Sequence, residues 1–224
     1  MGRQEARVVD LQDGGMRKVY DLHVPDGNQY VVGGLVTHNT LESIIALSYM
    51  LSRDPEANVV VFTERSALLQ WKKEIEWLCP GLQTMVVTAD THKDIQERKK
   101  LLRDSRIKIK ITTYYTVYSY LEDLLAGLGP KPIVIADECN YFKNCGTKMF
   151  KQMQLLSQAA FRFYGLTATI IENRLEEAYH ILRVVAPGTI PSRKYFDNHF
   201  TTKKIQVKED PISNTKSLMK FNKD

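Results

Sequence analysis

The chain has 224 residues, a mean hydropathy of −0.30 and a formal net charge of +5 at pH 7. No apolar run approaches the roughly 20 residues needed to cross a bilayer, which argues against a membrane-spanning chain. The three cysteines lack the spacing of a zinc site or a disulfide framework, so a cytoplasmic protein is expected.

The first predicted elements are two strand-like runs at residues 18–24 and 29–37, separated by the turn-rich sequence Pro-Asp-Gly-Asn at 25–28. The second run leads into His38, Asn39 and Thr40. An asparagine side-chain amide can attack its own backbone carbonyl and cut the bond that follows, and a neighbouring histidine can assist. A hydroxyl on the next residue can accept an acyl group. Asn39 and Thr40 therefore form a candidate cleavage site, with His38 as its helper.

This ending resembles the C-terminal segment of an intein, a small β-rich fold. The resemblance implies that Asp21 assists acyl transfer, and the sequence departs from the family at Asn28, where many inteins carry a second histidine. The N-terminal intein block is absent from residues 1–39, so we expect a split intein half that acts in trans; the alternative is a truncated reading of a contiguous intein. Its expected partner is an N-terminal precursor that carries the other half.

From Thr40 onward, helix-like and strand-like segments alternate. Residues 41–51 have apolar side chains at helical spacing, and further helices are predicted at 175–185 and 192–200. Strand-like segments at 58–63, 84–87, 107–112, 132–136 and 161–166 alternate with helix-like segments at 67–78, 94–102, 114–125 and 148–159. This order predicts an α/β fold with a doubly wound parallel sheet and flanking helices, whose ligands bind beyond the carboxyl ends of the strands.

Two adjacent carboxylates, Asp137 and Glu138, follow the apolar run at 132–136. In many ATP hydrolases one such carboxylate holds Mg²⁺ and the next orients the attacking water. We assign Asp137 to the metal and Glu138 to the water. Taken alone, an Asp-Glu pair is more often a solvated loop or the start of a helix.

Several blocks resemble the first RecA-like lobe of Swi/Snf-type ATPases, which translocate on double-stranded DNA. The blocks are 59–63 with 69–75, 111–114, 137–144 and 165–173. The third contains Lys143 and Asn144, a pair that marks this family among helicases. The resemblance covers residues 40–200 and implies ATP and Mg²⁺ as cofactors and double-stranded DNA as partner.

The same resemblance assigns roles to single residues. It implies nucleotide contacts for Thr167 and Thr169 and nucleic-acid contacts for the residues Arg65, Ser66, Thr112, Thr113 and Tyr114. The chain departs from the family at Cys139, Asn140 and Ile170. The change at Asn140, where histidine is usual, predicts altered coupling of ATP turnover to DNA.

The two resemblances meet at Thr40. The family's phosphate loop ends in Gly-Lys-Thr, and here His38 and Asn39 precede the threonine. The two resemblances together imply that an intein interrupts the Walker A motif, so the glycines and the lysine are expected on the N-terminal precursor. Thr40 would serve first as the splicing nucleophile and then as a hydroxyl ligand of Mg²⁺ at a helix N-terminus.

We expect three regions, namely 1–39, 40–200 and a lysine-rich tail at 201–224, and charge supports the first boundary. Residues 1–39 carry four Lys/Arg and five Asp/Glu, a net charge of −1, which leaves +6 for the remainder. An excess of positive charge suits contact with a phosphate backbone, although an ordinary solvated surface explains it equally well. The tyrosines at 114, 115, 118 and 120 could stack on bases, but their helical spacing favours the interpretation that they are partly buried packing residues.

Two alternatives remain open. The lobe is a DNA-binding domain that does not hydrolyse ATP, or it belongs to an RNA or single-strand helicase of a neighbouring family. In either case residues 1–39 would be an inactive intein remnant. The Lys143-Asn144 pair argues against the helicase alternative.

Overall fold

A computed structural model describes residues 30–32, 35–37, 39–171 and 174–200 of the chain. The chain divides into two compact units, Met1–Pro187 and Gly188–Asp224. In the second unit the described part contains one helix, α7 (Arg193–Phe200), in which Arg193 pairs with Asp197 at 2.8 Å. No helix among the described residues is both long enough and apolar enough to span a membrane.

The described part of the first unit starts with a two-stranded antiparallel sheet, β1 (Tyr30–Val32) and β2 (Leu35–Thr37), in which Tyr30 lies opposite Thr37. The prediction of one strand over 29–37 is therefore wrong, because this segment forms both strands of a hairpin. The strand predicted at 18–24 lies outside the described residues.

A five-stranded sheet forms the centre of the first unit, with the strand order β4-β5-β3-β6-β7 and every pairing parallel. Its strands are β3 (Asn58–Phe62), β4 (Thr84–Val86), β5 (Ile109–Thr112), β6 (Pro132–Ala136) and β7 (Arg162–Gly165). The helices are α1 (Asn39–Arg53), α2 (Leu68–Leu78), α3 (Ile95–Arg103), α4 (Tyr114–Ala126), α5 (Lys148–Ala159) and α6 (Leu175–Val185). The predicted RecA-like α/β class is thus confirmed.

Both faces of the sheet are covered, and alternate residues of each strand face opposite sides. Val59 and Val61 of β3 pack with α1 and α2, around buried Ile44 and Trp71. Val60 and Phe62 pack on the other side with α3, α4, α5 and α6. We call these the α1/α2 face and the α3–α6 face. Because β3 and β6 are buried along their whole length, their sequences are continuous apolar runs rather than alternating ones.

Candidate functional site

The carboxylate of Asp137 is held at the carboxyl edge of the sheet by two donors. Its Oδ2 accepts hydrogen bonds from the Thr63 hydroxyl and from the indole N–H of Trp71, both at 2.8 Å. The backbone N–H of Asp137 donates to Phe62 O at 2.8 Å, which continues the pairing of β6 with β3. Charge-assisted bonds of this kind fix the side chain, and Oδ1 remains available for a further ligand.

The sheet topology explains why these residues meet. Thr63 follows β3 and Asp137 follows the adjacent parallel strand β6, so both leave the sheet at the same edge. Trp71 reaches them from α2, where it is 1% exposed. Thr63 and Trp71 were not predicted as partners of Asp137. The helical spacing around Trp71 indicates burial, but no local signal reveals that its N–H points at a carboxylate.

Glu138 adopts a left-handed backbone conformation, with φ 50° and ψ 57°, and is the only non-glycine residue with positive φ in the described part of the chain. This conformation costs on the order of 1 kcal/mol and is found preferentially at functional sites. It turns the chain from β6 into a 3₁₀ helix, Cys139–Phe142. Glu138 lines an open pocket of about 460 Å³ together with Glu64, Asn140, Tyr141 and Lys143.

An aromatic stack lies beneath this turn. The Tyr114 ring is sandwiched between Tyr141, with centroids 4.6 Å apart, and Phe62, at 5.6 Å. Its hydroxyl donates to the backbone carbonyl of Asp137 at 2.5 Å, and burial raises the pKa of Tyr114 well above its usual value. Tyr114 therefore stays protonated and can act as a hydrogen-bond donor to the turn.

Cys139 occupies the interior side of the same turn. Its N–H donates to Leu166 O at 2.8 Å, and its side chain is 2% exposed. Burial raises the pKa of the thiol to about 12, with the neighbouring carboxylate of Glu138 adding to the shift. A thiol of this kind packs the core and is not a nucleophile at neutral pH.

The Lys143-Asn144 segment is tied to α6. The backbone carbonyl oxygen of Lys143 lies 2.8 Å from His180 Nδ1. The Lys143 ammonium is 3.9 Å from the carboxylate of Glu177. His180 is buried and packs edge-on against Phe150. The segment thus couples the pocket rim to the helix that follows β7.

The predicted nucleotide contacts Thr167 and Thr169 form a short turn just after β7. The Thr167 hydroxyl accepts from the N–H of Thr169 at 3.1 Å and lies at the same distance from the Thr169 carbonyl. Because β7 is parallel to β6, this turn and Asp137 lie at the same edge of the sheet. Their role toward a nucleotide stays a prediction.

Thr40 is the second residue of α1 and is half-buried. Four residues connect α1 to β3, so the helix runs back along the sheet and begins near the carboxyl edge that carries Asp137. Asp21 and His38 lie outside the described residues, and of Asn39 only the backbone, at the start of α1, is described. The predicted splicing roles of these four residues stay predictions.

The residues predicted to contact nucleic acid differ in exposure. Thr112 and Tyr114 are buried, and the Thr112 hydroxyl bonds the Val87 carbonyl at 2.6 Å. Thr113 is half-buried and Ser66 is exposed. Arg65 is exposed and pairs with Asp90 at 2.6 Å. Direct side-chain contact with DNA would therefore fall to Arg65, Ser66 and Thr113, and the prediction stays untested.

The side chains at this edge of the sheet suit a magnesium ion, because Mg²⁺ can be bound by few protein ligands. In the described residues no three His, Cys, Asp or Glu side chains converge as a metal cage. Magnesium is commonly held by one or two carboxylates together with phosphate oxygens and waters. One fixed carboxylate, Asp137, fits this kind of site.

Fold and site together define a class: a RecA-like lobe with an Asp-Glu pair after a buried central strand, as in helicase-like ATPases. Within that class the SNF2-related domain family matches residues 34–221, and the chain belongs to this family. The match includes residues 34–39, which the sequence analysis assigned to the intein segment, and it gives no support to an intein.

Curated relatives show the same resemblance at low identity. Chromodomain-helicase-DNA-binding protein 1-like from Mus musculus is 30% identical over 152 residues, which is 66% of this chain and 16% of that protein. Switch 2 from Arabidopsis thaliana is 22% identical over 205 residues, which is 87% of this chain and 23% of that protein. The chain therefore spans about a fifth of the length of these relatives.

A solved structure supports the fold. The Sulfolobus solfataricus SWI2/SNF2 ATPase core in complex with dsDNA aligns with a TM-score of 0.51 and 23% identity. The alignment covers 71% of this chain and 31% of that one.

Proposed function

We propose that residues 40–200 form the first lobe of an ATP-driven motor that acts on double-stranded DNA. The observation that carries the proposal is the fixed carboxylate of Asp137, held by Thr63 and Trp71 at the carboxyl edge of the sheet, with Glu138 beside it. Asp137 Oδ1 and the Thr40 hydroxyl would hold Mg²⁺. The ion, when bound, neutralises negative charge on the phosphates.

Glu138 is the residue suited to act on water. Its carboxylate follows the fixed aspartate directly and lines an open polar pocket, where it can orient a water molecule and accept its proton. Thr167 and Thr169 offer a hydroxyl and backbone groups at the same edge. The double-stranded DNA in the related core structure favours duplex DNA as the partner, and the net charge of +6 after residue 39 is compatible with it.

We further propose that residues 1–39 are the C-terminal half of an intein that acts in trans. The Thr40 hydroxyl attacks the carbonyl that joins the upstream segment to the other intein half. That bond breaks and an ester forms at Thr40, while Asp21 assists transfer of the hydroxyl proton to the departing group of the other half. The Asn39 side-chain amide then attacks its own carbonyl carbon. A succinimide forms, the Asn39–Thr40 bond breaks, and His38 protonates the departing amine. The freed Thr40 amine takes over the acyl group, which converts the ester to a peptide bond and restores the hydroxyl.

Two observations support the splicing proposal. Residues 30–32 and 35–37 pair as antiparallel strands, in line with a β-rich ending. Asn39 and Thr40 lie where this hairpin meets α1, so the residue released by cleavage is the one that begins the motor lobe.

Intact mass after mixing the chain with an N-terminal precursor tests the splicing. We expect loss of residues 1–39 and an upstream segment joined to Thr40, with the reaction blocked by Asn39→Ala. Absence of ligation with a bound partner under reducing conditions would show that residues 1–39 are an inactive remnant.

ATP turnover of the joined protein tests the motor. We expect hydrolysis stimulated by duplex DNA, and a loss on the order of 100-fold in Glu138→Gln. The matched control is Glu64→Gln, which changes another carboxylate of the same pocket, bonded to Tyr141 at 3.2 Å, and should leave most of the turnover. Equal turnover in both variants would contradict the role of Glu138.

Asn140 favours a second candidate, a lobe that binds DNA without hydrolysing ATP. Asn140 lines the pocket beside Glu138, where the family usually has histidine. This candidate predicts duplex binding by the joined protein, no turnover, and identical behaviour of the Glu138→Gln variant.

A further inference from the structure

Two loops at the carboxyl edge of the sheet are joined by an ion pair. Arg65 lies in the loop after β3 and Asp90 lies in the loop after β4. The Nη2 atom of Arg65 is 2.6 Å from a carboxylate oxygen of Asp90. In the sheet, β5 lies between β3 and β4, and all three strands are parallel. The ion pair therefore bridges the loops on either side of the carboxyl end of β5.

The three residues available for direct DNA contact lie at the same place. Arg65 and Ser66 follow β3, and Thr113 follows β5, so all three lie at the carboxyl ends of adjacent parallel strands. Asp90 adds a carboxylate to this group. A DNA phosphate that approaches the Arg65 guanidinium therefore meets a negative charge that is already bonded to it.

The loop that carries Asp90 is fixed by hydrogen bonds between two threonines. The Thr88 N–H donates to Thr91 Oγ1 at 3.0 Å, and the Thr91 N–H donates to Thr88 Oγ1 at 3.3 Å. The Thr91 hydroxyl donates to the Val86 carbonyl at 3.1 Å, and Thr88 is buried. The carboxylate of Asp90 is thus presented by an ordered turn, which lowers the conformational entropy lost when it pairs with Arg65.

The exposure of the ion pair limits its strength. The side chain of Arg65 is 76% exposed and that of Asp90 is 49% exposed. An exposed ion pair typically changes an equilibrium constant by a factor of about 1.5 to 5. A contact of this strength can be exchanged for a contact with a DNA phosphate, so it lowers the affinity of the surface without closing it.

We propose that Asp90 competes with the DNA backbone for Arg65 and thereby sets the affinity for duplex DNA. In the free protein the carboxylate bonds the guanidinium as a phosphate oxygen would. When duplex DNA binds, Arg65 exchanges Asp90 for a phosphate. This inference rests on the proposed function, since it takes duplex DNA as the partner, and it adds a residue that holds the affinity below the value that Arg65, Ser66 and Thr113 could provide.

Fluorescence anisotropy with a labelled duplex tests the competition without any splicing. The probe is a blunt DNA duplex of about 20 base pairs, titrated with the full chain at about 50 mM and about 200 mM salt. Asp90→Asn keeps the size of the side chain and removes its charge. We expect this variant to bind about fivefold more tightly than wild type at the lower salt concentration. The gain should shrink at the higher concentration, because salt screens exposed charges.

The gain should also depend on Arg65. In an Arg65→Gln background we expect Asp90→Asn to change duplex affinity by less than about twofold, since no guanidinium is left to release. The matched control is Asp104→Asn. Asp104 pairs with Arg106 at the same distance, 2.6 Å, but between α3 and β5, at the amino edge of the sheet. Removing this charge should leave duplex affinity within about twofold of wild type.

The outcomes separate this inference from the proposed function. An equal gain from Asp90→Asn in both backgrounds would mean that Asp90 repels DNA without competing for Arg65, and would overturn the inference. No gain in the otherwise wild-type chain, or an equal gain from Asp104→Asn, would overturn it as well. In each of these cases duplex binding by the wild type would leave the proposed function standing. Absence of duplex binding by wild type and all variants would contradict duplex DNA as the partner, and this inference with it.

Discussion

At the scale of single residues, the side chain that orients Asp137 is Trp71. Replacing Trp71 by phenylalanine keeps the aromatic bulk but removes the N–H that bonds Oδ2 at 2.8 Å. A lost hydrogen bond to a charged group costs about 1.5–3 kcal/mol, so we expect the free energy of unfolding in urea to fall by this amount. Trp77→Phe is the matched control, since Trp77 lies on the same helix and is 51% exposed. Equal losses in both variants would contradict the role of the indole N–H.

Lys110 gives the stability of the lobe a pH dependence. Its side chain is fully buried, its ammonium donates to the carbonyls of Gly127 and Ile107, and burial lowers its pKa to about 8. The unfolded chain, with the ordinary pKa near 10.5, holds the proton more tightly, so stability rises as pH increases through this window.

This dependence is measurable by urea unfolding. Between pH about 7.5 and about 9.5 we expect wild type to gain about 2 kcal/mol relative to Lys110→Met, which has no ammonium at this position. Lys108→Met, on the half-buried neighbour whose ammonium donates to the Pro55 carbonyl, should keep the wild-type dependence. Parallel curves for wild type and Lys110→Met would show that the buried amine is not the cause.

At the scale of elements, the junction of β7, α6 and the 3₁₀ helix depends on Gly165. An added Cβ would lie 2.6 Å from Val185 Cγ2 and 3.2 Å from Cys139 Sγ, so α6 or the turn after β6 must shift. We expect Gly165→Ala to lower the free energy of unfolding by about 1–3 kcal/mol. Gly146→Ala, where the added carbon meets nothing within 4 Å, should change it by less than about 0.5 kcal/mol. Similar effects at the two sites would mean that the junction can relax.

The elements of the sheet were predictable because their signals are local. β6 at Pro132–Ala136 and α6 at Leu175–Val185 coincide with the predicted ranges. A continuous apolar run indicates a buried strand, and apolar residues at helical spacing indicate a helix with one buried face. The hairpin at 30–37 was missed because its Gly33-Gly34 pair, a two-residue turn signal, was counted within one strand.

The candidate site was less predictable because its contacts are distant in sequence. Trp71 and Asp137 are 66 residues apart, and Thr63 and Asp137 are 74 apart. Only the order of the strands brings them together. The exposure of the tyrosines of α4 was also not predictable from their spacing alone. Tyr114 is 1% exposed and Tyr115 is 76% exposed, because successive helical positions point in different directions.

At the scale of the whole molecule, the proposed splicing and the proposed ATP site converge on one hydroxyl, that of Thr40. In the precursor the hydroxyl is the acceptor of the upstream acyl group, and in the joined protein it would be a ligand of Mg²⁺ at the start of α1. Thr40→Ser keeps a hydroxyl and should keep both functions. Thr40→Val keeps the shape of the side chain and should lose both.

The two roles separate when the joined protein is expressed directly, with the upstream segment fused to position 40, since no splicing is then needed. In the precursor, Thr40→Val should give no ligated product by intact mass. In the directly fused protein, the same change should lower ATP turnover by on the order of 100-fold, because Asp137 alone would be left to hold the ion. Ligation by the valine precursor would contradict the nucleophile assignment. Full turnover by the fused valine variant would contradict only the metal assignment, because ligation plays no part in that protein.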